Sequence, residues 1–297
     1  MEALRTLLSV PGNRQNMIEK ARSLPVDVLV LDLEDSVPVA EKANARAIVR
    51  DSIATLAQSA QRVFVRVNSL ASGLIQDDLE AVVTTGISGI NLPKPGSAHD
   101  VNRVVSIIER LESERGIEAG HIKLTPWVET AKGVVNAFEI ASATPRIIGI
   151  IFGAEDFTLD TGMQRTDEGE ELLYPRVMVL VAAKAAGVAA IDTPYNNFRD
   201  EEGLVREANL ARRLGYDGKY IIHPSQVEPM NRIFSPAPEE VEQARRVVET
   251  FEAAEAQGFA STSLDGKLID IPIATRARNL LAVADSIARQ EAKSPDA

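Results

Sequence analysis

The sequence predicts an α/β protein, a (β/α)8 TIM barrel followed by a C-terminal helical extension. Three observations point there. Short β-branched apolar runs recur eight times, at 6–10, 26–33, 63–67, 89–92, 123–128, 147–152, 188–192 and 220–222. The intervals between them carry amphipathic, helix-like sequence, and such alternation implies a parallel sheet; eight strands in about 220 residues suit a closed barrel. Finally, no G-x-G-x-x-G follows the first run, which counts against the alternative of an open doubly wound sheet.

The elements follow in order. The first run ends in Val10-Pro11-Gly12-Asn13, a turn leading directly into a helix for which Asn13 is the expected cap. Helices are expected at 41–57, 98–115, 131–142 and 172–187, where apolar residues recur at three- and four-residue spacing. After the eighth run the pattern changes. FSPAPEEVEQARRVVETFEAAEAQG reads as one amphipathic helix, opened by proline and stopped at Gly258. A Gly/Ser/Asp-containing crossing, FASTSLDGKLIDIPIATRARNLL, then leads into a last helix and a fraying polar tail. The expected division is a barrel at 1–235 and an extension at 236–297. The extension is too small to fold alone, so it packs on its own barrel or on a neighbouring subunit.

Composition narrows the function classes. The 297 residues carry a net charge of −11, which argues against a surface that collects nucleic acid or anionic lipid by counterion release. Cysteine is absent, removing disulfides, thiolate nucleophiles and sulfur-bound metals, and the three His are too widely spaced for a histidine metal site. The N-terminal apolar run is too short for a signal peptide, and no stretch approaches the roughly 20 apolar residues that span a bilayer. A cytoplasmic protein without membrane or nucleic-acid partners is expected.

In a barrel the residues that end the strands meet at one mouth. Here they are acidic: Asp32, Glu34 and Asp35 after the second run, Glu129 after the fifth, and Glu155 and Asp156 after the sixth, with Arg66 and Lys94 among them. Each acid raises the pKa of the next, and a hard divalent cation is an economical counter-charge. Glu129 and Asp156 end adjacent strands about 4.8 Å apart, close enough to share an Mg2+ ion at about 2.1 Å from each oxygen. Alternatively these two acids cap helices or pair with Arg66 or Lys94. Arg66 offers a planar fork for a carboxylate, or else a salt bridge to Asp32, Glu34 or Asp35. Glu34 and Asp35 suit waters on a metal. Lys94 is a Schiff-base candidate on position, but among so many acids it reads as charge balance. His223 is a base or, before proline, a fixed hydrogen-bonding residue; Trp127 reads as core. Arg5, Arg14 and Lys20 flank the first turn and its helix, either as phosphate contacts or as solvated charges.

The runs LLSVPGNRQNMIEKA, VLVLDLEDSV, VFVRVNS, NLPKPGS, PWVETAKGV, IFGAEDFTLDTG, AIDTPYNNFRDEEGL, YDGKYIIHPSQVEPMNRIFSP and LDGKLIDIPIATRA resemble the citrate lyase β-subunit-like (CitE-like) family of acyl-CoA lyases, in the HpcH/HpaI aldolase/citrate lyase superfamily. The resemblance covers residues 4 to about 282. It implies Mg2+ ligands at Glu129 and Asp156, a carboxylate-binding Arg66, Glu34 and Asp35 near the metal waters, and a keto-acid loop at Ala154 and Glu155. With a CoA thioester as the implied substrate, the phosphate candidates Arg5, Arg14 and Lys20 become candidate coenzyme A contacts, and the resemblance implies a homotrimer or hexamer. Asp270 alone reads as a solvated helix-start acid. The resemblance places it instead on a C-terminal lid that closes over the neighbouring subunit's mouth, where it moves a proton. The implied reaction cleaves a 3-hydroxyacyl-CoA thioester into an acyl-CoA and a 2-keto acid. Malate-synthase-like or thioesterase activity, a CoA-independent aldolase and a non-catalytic complex subunit are the alternatives.

Overall fold

A computed structural model describes residues 3–57, 61–166 and 168–292. These form two compact units, one spanning Leu4–Asn231 and the other made of Ala3 and the described residues from Arg232 onward.

The larger unit is a closed barrel of eight parallel strands, each paired with the next and the eighth with the first. They are β1 (Thr6–Pro11), β2 (Val28–Asp32), β3 (Arg62–Arg66), β4 (Gly89–Leu92), β5 (Lys123–Val128), β6 (Gly149–Phe152), β7 (Ala189–Asp192) and β8 (Gly218–Ile221). The strands are buried on both faces, which is why they read as nearly continuous apolar runs. Leu7, Val28, Val30, Phe64, Trp127, Ile151, Ile191 and Tyr220 form one buried cluster. The residues alternating with them, such as Leu8, Leu29, Leu31, Val63 and Ile150, are equally buried toward the surrounding helices. Gly89, paired with Phe64, keeps its own position small, since a Cβ there would lie 2.5 Å from the Phe64 ring.

Around the sheet run α1 (Gln15–Ala21), α2 (Lys42–Leu56), α3 (Ile75–Val82), α4 (Ala98–Glu114), α5 (Ala131–Val135), α6 (Ala137–Ala141), α7 (Ala154–Thr161), α8 (Leu173–Ala186) and α9 (Glu201–Leu214). In α4 the Ser97 side chain accepts the Asp100 N–H as a cap, and Val101, Val104, Val105, Ile108 and Leu111 are buried at helical spacing. α10 (Val227–Phe234) crosses the boundary between the units.

Two local expectations are corrected. Asn13 does not cap α1: the N-cap position is Arg14, without a side-chain cap, and the Asn13 amide donates instead to Glu41 Oε2. The helix expected at 131–142 is broken at Asn136, whose amide donates to Gly96 O at 2.7 Å. That bond ties the joint to the loop before α4.

The C-terminal unit contains α11 (Pro238–Glu255), β9 (Ser261–Leu264), β10 (Lys267–Asp270) and α12 (Ile271–Glu291). Glu240 accepts the Ala237 N–H at 2.8 Å and closes the start of α11. The expected Gly/Ser/Asp-containing crossing is a β-hairpin, turned at Asp265-Gly266 with φ of +50° and +74°. Asp-Gly is the pair such a turn favours, and it was the available signal. Phe251, Ile269 and Ala274 form the unit's small core. The tail at 293–297 lies outside the described residues. Among the described residues no helix is long and apolar enough to cross a membrane.

Candidate active site

The carboxyl ends of the strands bring together two basic and five acidic side chains. Asp32 and Arg66, the last residues of β2 and β3, stand in register. Arg66 Nε and Nη2 donate to Asp32 Oδ1 and Oδ2, each at 2.7 Å. Asp32 also accepts the backbone N–H groups of Glu34 (2.9 Å) and Ser36 (3.1 Å), which folds the loop after β2 around it. Burial opposes its charge, but Arg66 and these donors outweigh it and hold the carboxyl below its ordinary pKa. Of the two expectations for Arg66, the salt bridge is present, with Asp32 as its partner. The Nε/Nη2 edge is taken by Asp32, and Nη1 is the group facing the acidic mouth, 3.3 Å from Glu34 Oε2 and 3.4 Å from Asp35 Oδ2. Trp127 lies under the guanidinium at 5.4 Å and stays in the core, as expected.

Glu129 directly follows β5 and is 2% exposed. Its Oε1 accepts the Lys94 backbone N–H at 3.1 Å. Burial, chiefly, with added repulsion from Glu34 and Asp156, pushes its pKa up to about 8 against the pull of Lys94 and Arg66. Gly153 gives Glu129 its room: a Cβ there would lie 2.5 Å from Glu129 Cβ and 2.6 Å from Oε2. Lys94 Nζ reaches Glu34 Oε1 at 3.0 Å and Asp156 Oδ2 at 3.1 Å. Burial also dominates at Glu34, whose pKa is pushed up to about 7 despite Arg66 and Lys94. Lys94 itself is held well above the ordinary lysine value, because its acidic neighbours overcome the opposing effect of burial. An ammonium so firmly protonated is a poor Schiff-base nucleophile.

The donors fit a hard divalent cation. Five acidic side chains stand against two basic ones, burial raises the pKa of Glu34 and Glu129, and buried Glu34 Oε2 accepts no hydrogen bond. Among the described residues no three His, Asp or Glu side chains converge on one point. Carboxylate oxygens such as those at this mouth are the donors a small oxygen-seeking ion prefers, with further positions taken by water and ligand. Glu129 and Asp156 are both bonded to Lys94, the first through its backbone N–H and the second through Nζ. Asp156 sits in the first turn of α7 rather than at the strand end itself.

The remaining expectations divide. The Ala154 N–H donates to Thr193 Oγ1 at 3.1 Å, so it is already committed. Glu155 lies in the same first helical turn, where backbone N–H groups lack intrahelical acceptors, and its side chain pairs with Arg165 at 3.4 Å. Arg5 is corrected outright. It opens the barrel at the opposite end of β1, is 5% exposed, and grips Asp27 through Nε (3.1 Å) and Nη2 (2.8 Å). It is a structural ion pair and not a coenzyme contact. Arg14 is exposed at the mouth end of α1, whereas Lys20 is exposed in the last turn of that helix. His223 accepts the Ser225 N–H on Nδ1 and stacks on Phe198, the fixed role its Pro-preceding position suggested. Asp270 lies in the C-terminal unit, where it caps α12 by accepting the Ile273 N–H at 3.2 Å.

Two contributors were not singled out from sequence. Lys42 donates to the carbonyls of Leu33 (2.7 Å) and Glu34 (2.6 Å) and pins the acidic loop. Gly153 acts by lacking a side chain, for which no chemical signal exists in a sequence.

The HpcH/HpaI aldolase/citrate lyase family description matches residues 5–224. The chain is 39% identical over 282 residues to citrate lyase subunit beta of Leuconostoc mesenteroides subsp. cremoris, covering 95% of this chain and 93% of that protein. It is 36% identical over 284 residues to (3S)-malyl-CoA thioesterase of Cereibacter sphaeroides, covering 96% and 95%. Among solved structures, CitE from Mycobacterium tuberculosis in complex with magnesium, acetoacetate and coenzyme A is similar at 32% identity and a TM-score of 0.77, over 95% of this chain and 98% of that one. On sequence, barrel and mouth together, this chain belongs to the HpcH/HpaI aldolase/citrate lyase family.

Proposed function

We propose that this chain is a Mg2+-dependent carbon-carbon lyase that cleaves a 3-hydroxyacyl-CoA thioester of the malyl-, citramalyl- or citryl-CoA type into an acyl-CoA and a 2-keto acid. The observation that carries the reading is the meeting of Glu129, Asp156 and Arg66 at one mouth, in a chain aligned over nearly its full length with citrate lyase β subunits. The related CitE complex, with magnesium, acetoacetate and coenzyme A, supports the ligand class.

Glu129 and Asp156 hold the ion in this reading. When bound, Mg2+ supplies positive charge against the negative charge that develops on the reacting oxygens. Arg66 Nη1, steadied by Asp32, takes the carboxylate end of the substrate, and the Glu155 N–H donates to the keto-acid portion. Glu34 and Asp35 accept from ordered water. Asp270 from a neighbouring copy removes the hydroxyl proton as the carbon-carbon bond breaks, and the released electron pair passes to the acyl-CoA as its enolate. The C-terminal unit acts as the lid that delivers Asp270 and excludes water.

A homotrimer or hexamer belongs to the same proposal. Val135, Phe138, Leu159, Leu173, Tyr174 and Val181 are exposed on α5 to α8, an apolar surface that favours burial against another copy. Arg14 and Lys20 are the remaining candidates for coenzyme phosphates. The cytoplasmic setting expected above belongs to the same proposal.

A second reading, hydrolysis of malyl-CoA at the same site, is favoured by the 36% identity to (3S)-malyl-CoA thioesterase. The test is a screen of malyl-, citramalyl-, methylmalyl- and citryl-CoA with product identification, with and without EDTA. An acyl-CoA plus a 2-keto acid, lost on chelation, is expected. Free CoA with an intact hydroxy acid would favour the thioesterase, and no cleavage of any substrate would favour a subunit that works only within a complex.

A further inference from the structure

Lys94 and Asp265 are, among the described residues, the non-glycine residues with positive φ. For Asp265 the hairpin turn accounts for this. Lys94, with φ of +53°, lies between β4 and α4, in no hairpin, and a long side chain there is held against its conformational preference. The conformation does something specific. It aims the Lys94 N–H at Glu129 Oε1 (3.1 Å) while the side chain carries Nζ to Glu34 Oε1 (3.0 Å) and Asp156 Oδ2 (3.1 Å). One residue thus addresses three carboxylates, coming from the loop after β2, the end of β5 and the first turn of α7.

We propose that Lys94 is an internal counter-cation that holds these carboxylates in place before metal loading, and that a divalent ion loads by displacing its ammonium from Asp156. The proposal rests on Glu129 and Asp156 being the metal ligands. An ammonium and a divalent cation repel each other at contact distance, and they compete for the same carboxylate oxygen. The backbone N–H of Lys94 is not part of that competition and keeps Glu129 oriented in both states. The lysine's flexible stem lets its charged end move while the loop stays still. Lys94 is therefore a positioning residue that sets metal affinity, at the expense of tight binding, in return for an ordered site before loading.

Lys94→Gly tests this well, because glycine adopts positive φ readily, so the backbone N–H is retained while the ammonium is removed. Mn2+ binding followed by electron paramagnetic resonance should tighten at least tenfold in Lys94→Gly, while Lys94→Arg, which keeps the charge, stays within about threefold of wild type. Equal or weaker Mn2+ binding by folded Lys94→Gly, alongside clear binding by wild type, overturns the inference alone. No Mn2+ binding by wild type overturns both the inference and the ligand assignment. A second measurement needs no variant: the 15N signal of the Lys94 ammonium should shift on Mg2+ saturation, and an unchanged signal at saturation overturns the displacement.

Discussion

Asp32 holds Arg66 through two parallel hydrogen bonds of 2.7 Å between the last residues of neighbouring strands. The pair is buried, and its geometry determines which guanidinium nitrogen is left facing the mouth. Asp32→Asn keeps the shape and removes the charge, leaving a buried guanidinium without its main partner. Losing one member of such a pair typically costs about 3–5 kcal/mol. The expected outcome is a fall of that order in urea-unfolding free energy, together with a raised KM for the keto-acid end of the substrate. An unchanged unfolding midpoint would show that Glu34 and Asp35 suffice to hold Arg66.

Gly153 sits so close to Glu129 that a methyl group has no space. Gly153→Ala should displace the carboxylate while leaving the barrel folded, at a cost of about 1–3 kcal/mol for overpacking. Mg2+ affinity measured by calorimetry should fall at least tenfold. Retained affinity would mean that Glu129 is not a ligand or that its contacts with Gly153 relax freely.

The raised pKa of Glu129, about 8, makes the metal-free protein pH-sensitive. A carboxyl that is harder to ionise when folded favours the native state fully below its unfolded pKa near 4.5, and that contribution is lost as pH rises toward about 8. Denaturant midpoints without metal should decline across this window, and Glu129→Gln should flatten the decline. Metal affinity should run the other way, rising toward pH 8 as Glu129 gives up its proton and levelling above it. Metal affinity independent of pH between 6 and 8 would contradict this account.

Asp270 caps α12 and is assigned above to proton transfer. Asp270→Asn preserves a side-chain acceptor for the cap, so the fold and Mg2+ binding should persist. Turnover should fall by about a hundredfold or more, the ordinary scale of general acid-base catalysis. Mixing this variant with Glu129→Gln should restore part of the activity if the two residues act across subunits, and an inert mixture would confine both to one chain.

The eight strands and the mouth acids were legible because each rests on local pattern. A parallel strand buried on both faces must be apolar along its length, and the residues that end or directly follow a strand lie at the mouth, so Arg66 and Glu129 could be placed from spacing. The Asp-Gly hairpin is also written locally, in the pair that closes its turn. What only the tertiary structure decided is how charges are shared. Whether Arg66 faces Asp32 or a ligand, whether Arg5 meets a phosphate or Asp27, and whether one lysine spans three carboxylates all depend on distances between residues far apart in the chain. Electrostatic energy follows separation and burial, and neither is a property of a residue's neighbours in sequence.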